Sequence, residues 1–181
     1  NAENPGYTRS ETDIDKTFDR VFAGAKGRVI VATFASNISR IQQVAAMARK
    51  YGRRVAVVGR SMSNNVRMAA ELGYLQLDGC MVDLDELQRL PHEQVAIVCT
   101  GSQGEPTSAL VRMARNQYSP IGLIPGDTVV VSATPIPGNE ELVNRTLDNL
   151  FRQGANVFYD ELLDVHVSGH ASQEELKLLI N

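Results

Sequence analysis

Val95-Ala96-Ile97-Val98-Cys99 runs into Thr100-Gly101-Ser102-Gln103-Gly104-Glu105-Pro106 and then into a helical stretch from Thr107 to Asn116. The fold turns on this passage. Five apolar residues with no polar alternation describe a strand covered on both faces, and a glycine-bearing loop and a helix complete a βα unit. The unit recurs on either side. Upstream, Val29 to Phe34 passes through Ala35-Ser36-Asn37 to a helix whose apolar stripe is Ile38, Ile41, Val44, Ala45 and Ala48, stopped at Gly52. Val55 to Val58 passes through Gly59-Arg60-Ser61 to a helix from about Ser63 to Leu72. Downstream, Thr128 to Val131 leads through Ser132-Ala133-Thr134-Pro135-Ile136-Pro137-Gly138-Asn139 to a helix over Glu140 to Arg152. Val157-Phe158-Tyr159 is the last strand. Short buried strands alternating with helices predict an α/β fold, a three-layer α/β/α domain around a mainly parallel sheet of about five strands. Crossovers are expected to be right-handed, with strand order open.

The two ends frame this core. Asn1 to Thr8 is an irregular lead-in, and its abrupt start without an initiator Met reads as a piece cut from something longer. Ser10 can cap a first helix, with Ile14, Phe18, Val21 and Phe22 on one face. Gly73 to Leu90 is less regular. Its acids Asp78, Asp83, Asp85 and Glu86 lack calcium-loop spacing and read as a solvated connection. Arg49, Lys50, Arg53 and Arg54 cluster where a helix gives way to a strand, and are expected on a solvated or partner-facing surface. His92 carries no assigned role.

Composition narrows the class. At 181 residues, 43% hydrophobic and 22% charged, the chain fits one soluble domain with a sizeable core. No apolar run approaches the roughly 18 residues of a membrane helix, and no signal-peptide pattern opens the chain. The net charge of −3 gives no bulk argument for nucleic acid, which would need a local basic surface. Three histidines and two separated cysteines are too few for a metal site. Cys80 and Cys99 sit in or beside apolar runs, which predicts buried thiols and a reducing, cytoplasmic setting.

In a parallel α/β domain the loops leaving the strand C-termini share one edge. Five polar loops then converge, each before a helix whose first-turn N–H groups lack internal partners. That edge suits phosphate oxygens. Yet Ser36 and Asn37 are also ordinary helix caps, Gly101 and Gly104 can serve a tight turn alone, and Arg60 can simply be solvated. No Walker loop or GxGxxG is present. The fifth loop, Asp164-Val165-His166-Val167-Ser168-Gly169-His170-Ala171-Ser172, places two imidazoles four residues apart before a helical run from Gln173 to Ile180. It suits an anion or a proton transfer, or else is a polar loop bonded to nearby carbonyls.

Taken together and in order, Phe34-Ala35-Ser36-Asn37, Gly59-Arg60-Ser61-Met62, Thr100 to Pro106, Ser132 to Asn139 and His166-Val167-Ser168-Gly169-His170 closely resemble ribonuclease J. The resemblance is to its β-CASP domain, the insert in a metallo-β-lactamase fold. It implies a parent that hydrolyses RNA with two metal ions, usually zinc, as a 5′-to-3′ exonuclease preferring 5′-monophosphate ends and as an endonuclease. It also implies a homo-oligomeric parent without a membrane partner, the β-CASP domain closing over its own lactamase-like domain with RNA between them. On that resemblance 1–165 is the β-CASP domain and 166–181 the return segment. His166, Val167, Ser168, Gly169 and His170 would contact substrate phosphate, with His170 beside the scissile bond, and Ala35, Ser36 and Asn37 would lie against RNA. Arg60, Ser102, Gln103, Gly104, Pro137 and Asn139 would line the channel. The His-x-His-x-Asp-His metal motif is absent, so the resemblance implies no metal in this chain and no cleavage by it alone. A stand-alone Rossmann-like module for a sugar phosphate or nucleotide would explain the loops without the abrupt termini. A purely structural or assembly role, through the Arg49 to Arg54 cluster or an exposed helix, is the third option.

Overall fold

The computed structural model describes residues 2–8, 10–77, 79–119 and 121–180. Its centre is a five-stranded, wholly parallel sheet built from β1 (Val29–Ala32), β2 (Arg54–Val58), β3 (Val95–Cys99), β4 (Thr128–Val131) and β5 (Asn156–Tyr159). The order is β2-β3-β1-β4-β5. Register runs straight across, with Val31 beside Val98 on one side and Val130 on the other. The three central strands are buried at every residue, as their unbroken apolar sequences require.

Alternate strand residues serve opposite faces. Val29, Val31, Val55 and Val98 pack with α1 (Glu11–Gly24), α2 (Ile38–Lys50) and α3 (Arg60–Glu71). Ile30, Ala32, Ile97 and Val129 pack with α4 (Leu84–Leu87), α5 (Ala109–Ala114) and α6 (Glu140–Arg152). The chain changes face along the free edge of β2: Met81 bridges Val55 in parallel, Val55 N donates to the Cys80 carbonyl, and Val82 N donates to the Val55 carbonyl. Cys80 lies in one core and Val82 in the other. This bridge is what the irregular Gly73 to Leu90 stretch contains, together with the short α4 capped by Asp83; Asp78 lies outside the described residues, as do Asn1 and Asn181. Loops from β1 and β2 therefore turn to one face, and those from β3 and β4 to the other. A crevice opens where neighbours diverge.

Several expectations shift. Helix α3 begins at Arg60 and not near Ser63, because Gly59 (φ +118°) turns directly into the helix. Helix α5 is shorter than Thr107 to Asn116; Glu105 to Ser108 form turns, with Ser108 N donating to the Glu105 carbonyl. Arg53 is not on a solvated surface. It is 4% exposed and donates to the carbonyls of Ala25, Gly27 and Val95, fastening α1 and the start of β1 to β3 at the sheet's N-terminal edge. On the same edge Arg28 grips the buried Asp127 through Nε (2.8 Å) and Nη2 (2.5 Å). Cys80 and Cys99 are both buried, and burial pushes the Cys99 thiol up to about 12. No helix of the described residues is long and apolar enough to cross a membrane.

Gly104 tests how tightly the β3 loop is seated. Its φ is +73°, and a Cβ there would lie 2.5 Å from the Leu142 carbonyl carbon of α6. Gly104→Ala is expected to destabilise the domain by about 2–4 kcal/mol in urea unfolding. Gly169→Ala, where a Cβ meets open space, should stay within about 0.5 kcal/mol. Equal effects would contradict this packing.

Candidate functional site

All five strands end on one edge, so the polar loops do converge there. Asn37 caps α2 by accepting from Arg40 N (3.0 Å), Ala35 receives Asn65 Nδ2 at its carbonyl (2.9 Å), and Ser36 is exposed between them. The β3 and β4 loops are joined by Gln103, only 2% exposed. Its Nε2 donates to the Thr134 carbonyl, and its Oε1 accepts from Ile136 N and Asn139 Nδ2. Gln103 and Asn139 are thus spent on shaping the edge. Pro137 is exposed on the β4 loop, and Gly104 packs against α6. Arg60 and Ser102 border a crevice of 830 Å³ between the ends of β1, β2 and β3.

The His166–His170 segment is held differently. Val165 and Val167 are buried in the α1–α2–α3 core, so His166 and Ser168 alternate away from it, as in an extended strand. The anchor is Arg40, which has no exposed surface. Its Nη1 donates to Ser132 Oγ at the end of β4 (2.7 Å) and to the Val165 carbonyl (2.6 Å). Its Nη2 meets Glu11 Oε2 at 2.9 Å, and the guanidinium lies 5.4 Å from the Phe18 ring centroid. Ser132 Oγ also donates to the Val165 carbonyl. One cation therefore links α1, α2, β4 and the histidine segment. Burial lowers the Arg40 pKa, and Glu11 opposes that shift.

Burial, then the Arg40 charge, hold the His166 pKa below its ordinary value, with Asp160 and Glu11 pulling weakly upward. The Nδ1 of His166 is buried with no hydrogen-bond partner among the described residues. His170 is exposed; its N donates to Ser168 Oγ and its carbonyl accepts from Thr8 Oγ1. Beyond it, Glu175 in α7 (Gln173–Ile180) accepts from Thr8 N, Thr8 Oγ1 and Ser172 N, and these bonds lower its pKa. The segment is pinned at both ends, and His170 lies exposed at its turn.

The arrangement offers an electropositive buried anchor, a neutral half-buried imidazole and an exposed one, all on a polar edge. Such a set can hold and orient an anion or a polar backbone. It does not assemble a metal centre: among the described residues no group of three or more His, Cys, Asp or Glu side chains lies together. Zinc therefore has no fitting donor set among the described residues. Arg40 escaped the sequence reading. Its spacing to Val44 and Ala48, on the apolar stripe, was the available signal.

By architecture and site this is a doubly wound α/β domain with a ligand edge at the strand C-termini. The family profile described as "Ribonuclease J, beta-CASP domain" matches residues 26–150. Over the full chain the sequence is 54% identical to ribonuclease J of Thermus thermophilus, covering 32% of that protein. It is 49% identical over 99% of the chain to ribonuclease J of Synechocystis, covering 28%, and 45% identical over the full chain to ribonuclease J2 of Bacillus subtilis, covering 33%. The chain belongs to the ribonuclease J β-CASP domain family, and spans about a third of the length of the relatives named here.

Two outcomes follow from the anchor. Arg40→Met is expected to destabilise the domain by about 3 kcal/mol or more, since it strips a buried network of its donor. Glu11→Gln, at a carboxylate 44% exposed, should cost under about 1 kcal/mol in the same melts. His166 should titrate below about 6.5 by NMR. Its depressed folded pKa means the unfolded chain binds the proton more readily. Its contribution is thus complete above pH of about 6.5 and lost as pH falls through the folded value. His166→Gln should flatten that part of the acid stability curve.

Proposed function

We propose that this chain is the domain that seats RNA against the metal centre of a ribonuclease J enzyme, with the metal ligands outside this chain. The observation that carries the reading is the Arg40 anchor, which joins the histidine segment to the end of β4 and so to the polar strand-end edge. On this reading His166, Val167, Ser168, Gly169 and His170 hold substrate phosphate, and His170 stands beside the scissile one. Ala35, Ser36 and Asn37 lie along the strand, with Arg60, Ser102 and Pro137 further out. Gln103, Gly104 and Asn139 shape the channel wall.

Division of labour follows from the chemistry. Attack on a phosphodiester needs a generated hydroxide and neutralised oxygens, which two zinc ions in the parent would supply. The residues here bind, orient and exclude. A neutral His166 can accept or donate one hydrogen bond, and an exposed His170 can steady charge on a non-bridging oxygen. The parent reading extends to 5′-to-3′ exonuclease and endonuclease action on 5′-monophosphorylated RNA in decay and maturation, in a cytoplasmic homo-oligomer. Residues 166–181 then return the chain from the β-CASP domain (1–165) to the lactamase-like one.

In the full-length enzyme, His170→Ala is expected to lower RNA hydrolysis about a hundredfold or more, with RNA binding weakened under tenfold. The isolated 181-residue chain should release no product from a 5′-monophosphorylated RNA with added zinc, manganese or magnesium. Metal-dependent cleavage by the isolated chain that disappears in His170→Ala would refute the assignment.

A further inference from the structure

We propose that Thr8 and Glu175 are a positioning pair for His170, bracing the peptide that carries its imidazole from the opposite end of the chain. The role deepens the reading above and rests on His170 standing beside the scissile phosphate. Three observations converge. First, the His170 peptide is tied on both sides. Its N donates to Ser168 Oγ at 3.2 Å, and its carbonyl accepts from Thr8 Oγ1 at 2.9 Å, 162 residues away in sequence. Second, Thr8 is itself held by one carboxylate oxygen. Glu175 Oε2 accepts from Thr8 N at 3.1 Å and from Thr8 Oγ1 at 2.6 Å. Third, the same oxygen accepts from Ser172 N at 2.7 Å, and Ser172 N also reaches Thr8 Oγ1 at 3.1 Å. Thr8 and Glu175 therefore close a ring of bonds around residues 168–172.

The chemistry of the pair suits bracing. An ionised carboxylate only accepts, and its bonds from N–H and O–H donors are short and charge-assisted. Those bonds, the Thr8 hydroxyl first, hold the Glu175 carboxyl below the ordinary carboxylate range. The Thr8 hydroxyl has one hydrogen, which lies between the His170 carbonyl and Glu175 Oε2, so both acceptors favour the same side-chain orientation. A branched Cβ stiffens it further. Glu175 stands three residues after Ser172, at capping-box spacing, so its reach back to Ser172 N also starts α7. That cap alone would need no Thr8. The irregular lead-in is laid along the same helix start, with Asn4 and Gly6 accepting from Gln173 N and Glu174 N. Helix α7 has no buried residue, so these bonds are not by-products of core packing. They place the lead-in where the histidine turn gains a second support.

The test is a double-mutant cycle in the full-length enzyme, acting on a 5′-monophosphorylated RNA. Thr8→Val keeps the side chain's shape and removes its hydroxyl. It is expected to lower kcat about tenfold, with KM within about twofold of the wild type. Glu175→Gln should lower kcat in the same direction, and Thr8→Ser, which keeps the hydroxyl, should stay within about twofold of the wild-type kcat. In a His170→Ala background Thr8→Val should cost nothing further, because the imidazole it positions is gone. A Thr8→Val loss of the same size with and without His170 marks a purely structural clasp and overturns the proposal. So does a kcat unchanged in both Thr8→Val and Glu175→Gln while His170→Ala is slow, an outcome that leaves the reading of His170 intact. A His170→Ala enzyme as fast as the wild type sinks that reading and this proposal together. Should Thr8→Val fail to fold, the cycle of Glu175→Gln with His170→Ala decides the same question.

Discussion

A guanidinium with no exposed surface holds this domain's ligand edge together. Arg40 sits on the buried stripe of α2 and spends its donors on the end of β4, on the Val165 carbonyl and on Glu11 of α1. A charge in that position is tolerable only because its terminal nitrogens are met by oxygens and an aromatic face. The consequence is geometric. Val165 precedes His166, so the bond that satisfies the cation also fixes where the imidazoles begin. Burial, and after it the cation, hold the His166 pKa below its ordinary value. Fold and site share one interaction.

The opposite edge of the sheet is fastened by the same device. Arg53 collects three backbone carbonyls, and Arg28 and Asp127 close the turn before β4. With both edges braced by cations on carbonyls and a carboxylate, the strand-end loops are free to carry polar groups that do no packing. Ser36, Arg60 and His170 are of that kind, whereas Gln103 and Asn37 are not.

Much of this was legible in the sequence. Unbroken apolar runs marked the strands, the 3.6-residue stripes marked the helices, and Ser10 and Asn37 marked their starts. Strand order was not, because ladder partners such as Val29 and Ala96 lie far apart in the chain and no local pattern pairs them. Arg53 was misread since a run of basic residues looks solvated, and nothing local shows that one of them points under the sheet. Arg40 was missed for a related reason. Its position among Val44 and Ala48 on the apolar face was visible, but the carbonyl it serves lies 125 residues away. The histidine segment was recognisable by spacing, while what anchors it was not.

The clasp between the two ends of the domain has a mechanical meaning. Gln173 N donates to the Asn4 carbonyl, Glu174 N to the Gly6 carbonyl, and Thr8 is shared between Ser172 and Glu175. Tension applied to the flanking residues would load these few bonds in shear before it reached any strand. The sheet is thereby insulated from pulling at its leads.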